Sequence, residues 1–508
     1  MKKIKEIISS KIDIALNKLS YPKRDFNLDK SRNVEFGDFS SNIPLLLAKD
    51  LKKSPINIGN IIMSELNKIS IPYITSISVT APGFLNFNID KKYFLLEIPL
   101  IIEGGINYGR GKLGNGNTAN VEFVSANPTG PLTIGHGRNA ILGDSISNLL
   151  DWQGYKVTRE YYFNNAGRQM RLLSKSIESR YFQSIGKEIP FPDDGYLGEY
   201  IKDIAEEVLI KGGENLKSGD SIFLSEAEKI IFKSIKNCLR KLNIHFDSFI
   251  NEKTFYENGA IKNIIDELRN KGFIYEKDGA TWFKSSSLGK SKDIVYIKSS
   301  GEPTYRLPDT AYHEYKLKRG FDLIIDIFGS DHADTYPDIL LALEALGHKT
   351  EHIKVLIYQF VTLLKGGEKV KMSTRKADFV TLDELISDVG PDVVRYFFIM
   401  RGYNSHLDFD LDLAKDQSDK NPVFYLQYAH ARICNILSRS EQIGLSFNNY
   451  DTSLLSHENE LNLVKLMIDF KEVSEKACKN LEPQNIANYL QDLSSLFHKF
   501  YSHCRVIT

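Results

Sequence analysis

Four stretches of this chain combine residue types and spacings that could do chemistry. Gly135-His136-Gly137 sets an imidazole between two glycines. It follows a β-branched and aromatic run, Val121 to Val124, and precedes Leu142, Ile146, Leu149 and Leu150 at helical spacing. A strand over 121–124 and a helix from Arg138 onward would put this loop where backbone N–H groups and the positive dipole end gather, a place that suits phosphate. The glycines would let the backbone approach a ligand, and His136 offers a donor. A plain βα turn with a helix-capping histidine is the competing reading. Gly329-Ser330-Asp331-His332 ends the apolar run Leu323 to Phe328, expected as a strand buried on both faces; polar groups at the carboxyl end of such a strand commonly face a ligand crevice, with a plain strand end as the competing reading. Lys369, Lys371, Arg375 and Lys376 crowd one loop, either an anion clamp or a solvated hairpin. Asp309 follows Tyr305 by one helical turn, and Pro308 suits a helix start, so carboxylate and phenol can face one pocket.

The elements that would hold these groups run in a regular order. An amphipathic helix from Ile4 to Leu19 and a further helix from Leu45 lead to a pair of strands around Pro82-Gly83, with Leu85, Phe87 and Ile89 on one face. Gly104 to Gly116, rich in glycine and asparagine, reads as a linker. Tyr155 to Gly167 reads as a second strand and a polar turn, and the stretch of about 171–290 as amphipathic helices. Two short strands flank Gly366-Gly367, and Thr381 to Glu384 has the form of a capping box. From Pro422 the chain is helical, with three stripes expected to be core: Leu426, His430, Ile433 and Leu437; Leu463, Met467 and Phe470; Ile486, Leu490, Leu493 and Phe497. His430 is expected to be a satisfied core histidine.

The 508 residues suffice for several packed domains, and 42% apolar with 26% charged residues is the composition of a soluble globular protein. Lys plus Arg equal Asp plus Glu, so any nucleic-acid surface must come from segregated basic residues. Cys238, Cys434, Cys478 and Cys504 form no C-x-x-C pair, which argues against structural zinc and disulfides and fits a reducing cytoplasm. No segment has the apolar length of a signal peptide core or a membrane span.

The run Ser125 to Arg138, S-A-N-P-T-G-P-L-T-I-G-H-G-R, resembles the first signature of class I aminoacyl-tRNA synthetases, and the arginyl family in particular. Glu35 to Lys49, Tyr155 to Gly167 and Asn421 to Arg432 are similar to the same family, and Lys371 to Arg375 resembles its second signature. Thr133 stands where the family usually has histidine, Thr374 where lysine is usual and Arg375 where serine is usual. The resemblance implies an α/β fold: a Rossmann-type parallel-sheet catalytic domain at 113–380 with an insertion at about 171–290, an N-terminal α/β tRNA-contacting domain at 1–112, and a C-terminal all-α anticodon-binding bundle at 381–508. It also leads one to expect more chain beyond Thr508, with the last helices of that bundle missing.

The activity implied is arginine–tRNA ligase: ATP-dependent activation of L-arginine, then transfer to tRNA(Arg), with activation requiring tRNA. Such chemistry depends on alignment and charge stabilisation, which glycines, histidine, lysines and arginines supply without a covalent nucleophile. By resemblance His136, Lys371 and Arg375 are catalytic. Thr133, Gly135, His136, Gly329, Asp331, His332, Lys371, Met372 and Ser373 bind ATP. Glu122, Ser125, Asn127, Tyr305 and Asp309 bind arginine, Asp309 on the guanidinium and Tyr305 as the aromatic wall, with Glu122 alternatively an ordinary salt-bridged strand residue. Magnesium would arrive with ATP; no protein metal site, tightly bound cofactor or membrane partner is expected, and a cytoplasmic monomer is. A small-molecule adenylyltransferase of the same superfold and a catalytically silent tRNA-binding paralogue are the competing functions.

Overall fold

The computed structural model describes residues 2–31, 34–370, 380–445 and 450–507. The chain divides into two compact units, one of Met1–Arg110, Tyr428–Ser474 and Tyr489–Thr508, the other of Gly111–Gln427 and Glu475–Asn488.

In the first unit the helix Lys2–Lys18 buries Ile4, Ile8, Ile12 and Leu16 at helical spacing. They share a core with an antiparallel sheet of β1 (Leu28–Lys30), β2 (Phe39–Ser41), β3 (Ile74–Thr80) and β4 (Phe84–Ile89), ordered β1-β2-β4-β3. Leu85, Phe87 and Ile89 are buried on one face, as their alternation predicts. Val464 and Ile468 of the helix Glu458–Asn480 complete the same core, so the amino-terminal region shares its interior with carboxyl-terminal helices. The first carboxyl-terminal stripe departs from expectation. His430 is exposed, and Ile433 and Leu437 are 38% and 47% exposed. The helix Pro422–Gln442 has the expected period but a different phase: Ala429 and Ser440 take the buried positions.

The second unit is built on a five-stranded sheet, every neighbouring pair parallel, of β5 (Thr118–Glu122), β6 (Lys156–Phe163) and β7 (Ser248–Asn251). A small antiparallel sheet follows, of β8 (Ile274–Lys277), β9 (Ala280–Phe283) and β10 (Ile294–Ile297). The parallel sheet is completed by β11 (Leu323–Gly329) and β12 (Ile353–Tyr358), giving the order β12-β11-β5-β6-β7. The chain leaves β5 toward β6 on one side, while β11 joins on the other, so the sheet's switch point lies between β5 and β11. A third sheet holds β13 (Val361–Lys365), β14 (Glu368–Lys369) and β15 (Leu407–Asp410), with Gly366 and Gly367 in the hairpin turn at φ 60° and 77°.

Three sequence expectations shift here. The strand expected at 121–124 ends at Glu122, and Val124 and Ser125 adopt φ of 65° and 43°. The Val124 N–H donates to Asn139 Oδ1 at 2.8 Å, which draws the backbone out of the ladder. The helix expected from Arg138 starts at Ile134, so Gly135-His136-Gly137 forms its first turn and is not a preceding loop. The stretch at about 171–290 does contain helices, Gly167–Ser184, Glu199–Gly212 and Ile222–Lys241, but it also supplies β7 to the main sheet. Lys371, Met372, Ser373 and Arg375 lie outside the described residues.

Candidate functional site

At the carboxyl ends of β5 and β11 the second unit encloses a cavity of about 310 Å³. Each wall comes from a different element. The Ile134–Trp152 helix supplies His136 and Asn139, and the turn after β5 supplies Ser125 and Asn127. The helix Arg306–Lys318 supplies Asp309 and Tyr312, with Tyr305 as its N-cap, and the segment ending β11 supplies Gly329, Asp331 and His332. Asn139 fixes the spacing of the two strand ends: besides holding Val124 N, it donates from Nδ2 to the Ile327 carbonyl at 2.9 Å.

His136 serves two geometries at once. Thr133 caps the helix, its Oγ1 accepting from His136 N at 3.5 Å, and the Thr133 N–H donates to His136 Nδ1 at 3.1 Å. This is a capping box with histidine at the third helical position. Since Nδ1 accepts, the proton of the neutral ring belongs on Nε2. Burial pushes the imidazole pKa down to about 4, with Asp331 opposing, so the ring is neutral near pH 7. Thr133, in the place of the family's histidine, is therefore a helix cap, and neither it nor Gly135 lines the cavity. Gly137 has a packing duty: a Cβ there would stand 2.5 Å from Leu382 Cδ1.

Asp309 is only partly buried, lines the cavity, and among the described residues receives no side-chain hydrogen bond. Burial pushes its pKa up to about 7; His313 and Lys316 oppose this, while Glu252 and Glu122 add to it. Glu252 lines the same cavity, held by Tyr162 Oη at 3.0 Å and Asn164 Nδ2 at 2.6 Å, and burial raises its pKa as well. The rings of Tyr162 and Tyr312 stack at 4.1 Å and 7°, forming the aromatic wall, with Tyr312 buried and Tyr162 partly so. Tyr305, expected to be that wall, is 76% exposed and forms the rim.

Glu122 is salt-bridged, as the plainer reading had it. Its Oε1 accepts from Ser125 Oγ at 2.8 Å and its Oε2 from Lys316 Nζ. Lys316 also donates to Asp326 Oδ1 at 2.6 Å, and His313 Nε2 meets Asp326 Oδ2 at 3.1 Å. His313 Nδ1 lies 2.8 Å from the Asp309 carbonyl, so both ring nitrogens face acceptors, an arrangement that favours the doubly protonated ring. Burial is the largest influence on His313 and lowers its pKa, and Lys316 lowers it too, but Asp326, by charge and hydrogen bond, and Glu122 together raise it; Lys316 and His313 in turn hold the Asp326 carboxyl well below its usual range despite burial. Ser125 Oγ also accepts from Tyr162 N at 3.1 Å, and Asn127 bridges Asn164 N and Gln169, so both brace the turn. On the other wall Phe328 and His332 stack at 5.3 Å, and a Cβ on Gly329 would lie 2.5 Å from Asp331 Oδ1.

Three family models match the chain: tRNA synthetases class I (R), catalytic domain, over residues 98–392; the DALR anticodon binding domain over 426–508; and the arginyl tRNA synthetase N terminal domain over 2–89. The arginine–tRNA ligase of Desulfotalea psychrophila is 49% identical over 93% of this chain and 86% of its own length. That of Salinibacter ruber is 44% identical over 99% and 94%. The chain belongs to the arginyl-tRNA synthetase family. Its fold is that of the solved arginyl-tRNA synthetase of Thermus thermophilus, with a TM-score of 0.71 and 20% identity over 98% of this chain and 92% of that one.

For this synthetase the structure brings Glu122, Ser125, Asn127, His136, Tyr305, Asp309, Gly329, Asp331 and His332 to one cavity. Sequence reading missed Glu252, Tyr162, His313, Lys316 and Asp326 as parts of the site. Glu252 lies in the stretch taken for an insertion, and nothing local marks it. The buried charges carried a signal: Asp326 interrupts an apolar β11, and a carboxylate in a doubly covered strand demands a cation. Among the described residues no helix is long and apolar enough to cross a membrane.

Proposed function

We propose that this arginine–tRNA ligase seats its amino acid against Asp309 and its ATP against His136 and the Gly329–His332 segment. The observation that carries the reading is the Asp309 carboxylate: it lines the cavity, among the described residues no side chain hydrogen-bonds or salt-bridges it, and Glu252 acts on it as a second negative charge. A guanidinium is a planar cation that pairs with carboxylates through parallel hydrogen bonds, and it supplies the charge this wall lacks. Glu122, already paired with Lys316, braces Ser125 and the turn that bears Asn127 toward the amino-acid end. Tyr305 closes the rim.

The arginine carboxylate attacks the α-phosphate of ATP, giving arginyl-adenylate and pyrophosphate; the terminal ribose hydroxyl of tRNA(Arg) then attacks the adenylate carbonyl and releases AMP. His136 donates Nε2–H to phosphate charge that develops in the first step, and Thr133 and Gly135 hold that helix end. Gly329, Asp331 and His332 take the adenosine. Lys371 and Arg375, with Met372 and Ser373 in the same loop, hold the pyrophosphate, and magnesium enters as part of the ATP substrate. In the first unit a second cavity, about 430 Å³, is lined by Arg432, Arg439, Arg505 and Tyr501, with the Arg432 guanidinium 4.7 Å from the Tyr501 ring. Cations beside an aromatic face suit a splayed nucleotide of the tRNA. The enzyme works as a cytoplasmic monomer.

Arginine-dependent exchange of pyrophosphate into ATP, run with and without tRNA, tests the reading. Exchange that appears only with tRNA supports it. Exchange with another substrate and no need of tRNA would mark a small-molecule adenylyltransferase, and tRNA binding without exchange a silent paralogue.

A further inference from the structure

Glu122 and Asp326 are register partners on the adjacent strands β5 and β11, at the centre of the buried sheet. Two carboxylates side by side repel, and both are buried. Ligand atoms of Glu122, Asp326 and His313 lie within 4.8 Å of one another, a spacing that would suit a cation. The cation in place is Lys316: its Nζ donates to both carboxylates, its side chain is 0% exposed, and it lies 4.2 Å from the centre of the Tyr312 ring. Asp309, His313 and Lys316 fall at i, i+4 and i+7, on one face of the Arg306–Lys318 helix. Asp309 thus rides on the helix that the two cations dock onto the sheet, and His313 ties the ring directly to the Asp309 carbonyl.

We infer that Lys316 is a positioning residue for arginine: its ammonium is a built-in cation that docks the Arg306–Lys318 helix on Glu122 and Asp326 and so fixes where Asp309 meets the guanidinium. The inference rests on the reading of Asp309 given above. A misplacement of about 1 Å at a reacting site can cost about 10²-fold, so precise docking has a measurable consequence.

In Lys316→Ala, tRNA charging measured with varied arginine should show a KM for arginine raised about 10- to 100-fold, with the KM for ATP changed less than about twofold. Methylammonium, small enough to take the vacated ammonium position, should lower the arginine KM again, whereas tetramethylammonium should not. An arginine KM close to that of the parent, an equal rise for ATP, or no response to methylammonium overturns the inference. Lys316→Met combined with Glu122→Gln keeps the cluster neutral, because Asp326 retains His313, and guards against a single variant that does not fold. Its arginine KM should rise at least about tenfold above that of Glu122→Gln alone, and a value equal to that single variant's again overturns the inference. Asp309→Asn measured alongside separates the two ideas. If its arginine KM is unchanged, the pocket reading itself fails; if its KM rises while Lys316→Ala stays parent-like and the double variant matches Glu122→Gln, only the role of Lys316 fails.

Discussion

Replacing Asp309 by Asn keeps the side chain's size and removes a charge that no described side chain of the cavity hydrogen-bonds or salt-bridges. Truncating one member of a buried charged pair costs about 2–5 kcal/mol, mostly through the charge left unpaired; at 1.4 kcal/mol per decade that is roughly 30- to 4,000-fold in arginine affinity. A rim carboxylate would cost only about 0–1 kcal/mol. The pH dependence sharpens the test. With a pKa of about 7 the free enzyme's Asp309 is about half protonated at pH 7, and only the ionised form pairs with guanidinium. As pH falls below 7, arginine must displace a proton, so affinity should fall about tenfold per pH unit; above about pH 8 it should level off. Asp309→Asn should abolish this slope. Stability moves the other way: a carboxyl whose folded pKa lies above its ordinary value of 3.8 favours the folded state when protonated and loses that advantage as pH rises through 7. The ligand-free Asn variant should therefore melt higher than the parent at pH 8. Arginine titrations followed calorimetrically from pH 6 to 8.5, with thermal melts of both proteins, read all three effects. A change in affinity of less than about threefold, less than the 1 kcal/mol of a surface pair, together with a parent-like pH slope, would refute the assignment.

Two further predictions concern the first turn of the Ile134–Trp152 helix. His136→Ala should lower stability by about 0.5–2 kcal/mol through the lost cap and slow single-turnover adenylate formation about 10²–10³-fold through the lost donor. His136→Gln, which can still close a capping box, should recover the melting temperature but not the rate; parent-like adenylate formation in that variant would leave His136 a cap alone. Gly137→Ala should destabilise by about 1–3 kcal/mol, since its Cβ would meet Leu382 Cδ1 at 2.5 Å, with the ATP KM of the folded fraction unchanged. Gly135→Ala meets only Thr133 Oγ1, at 3.7 Å, and should keep or gain stability; a loss of ATP affinity in that variant would show that the Gly135 backbone does approach phosphate.

By itself the sequence determined the local elements whose cause is local. Ile4, Ile8 and Ile12 recur at the helical period, Leu85, Phe87 and Ile89 alternate at the strand period, and Thr381 with Glu384 writes a capping box that the structure contains. Two motif residues were legible for the same reason: Asp309 in a helix, one turn beyond Tyr305, and Asp331 at the end of an apolar strand. The phase of the Pro422–Gln442 helix was not legible, because periodicity fixes that one face is buried and packing chooses which. The start of the Ile134 helix was missed because a histidine at the third position closed a capping box usually written with Glu or Gln. Only the tertiary structure decided that β7 joins the main sheet, that Glu252, far along the chain from Glu122, reaches the same cavity, and that Lys316 stands between Glu122 and Asp326. Charges buried together in a medium that cannot screen them must be balanced at contact distance, and contact across strands and helices is set by the fold, not by spacing along the chain.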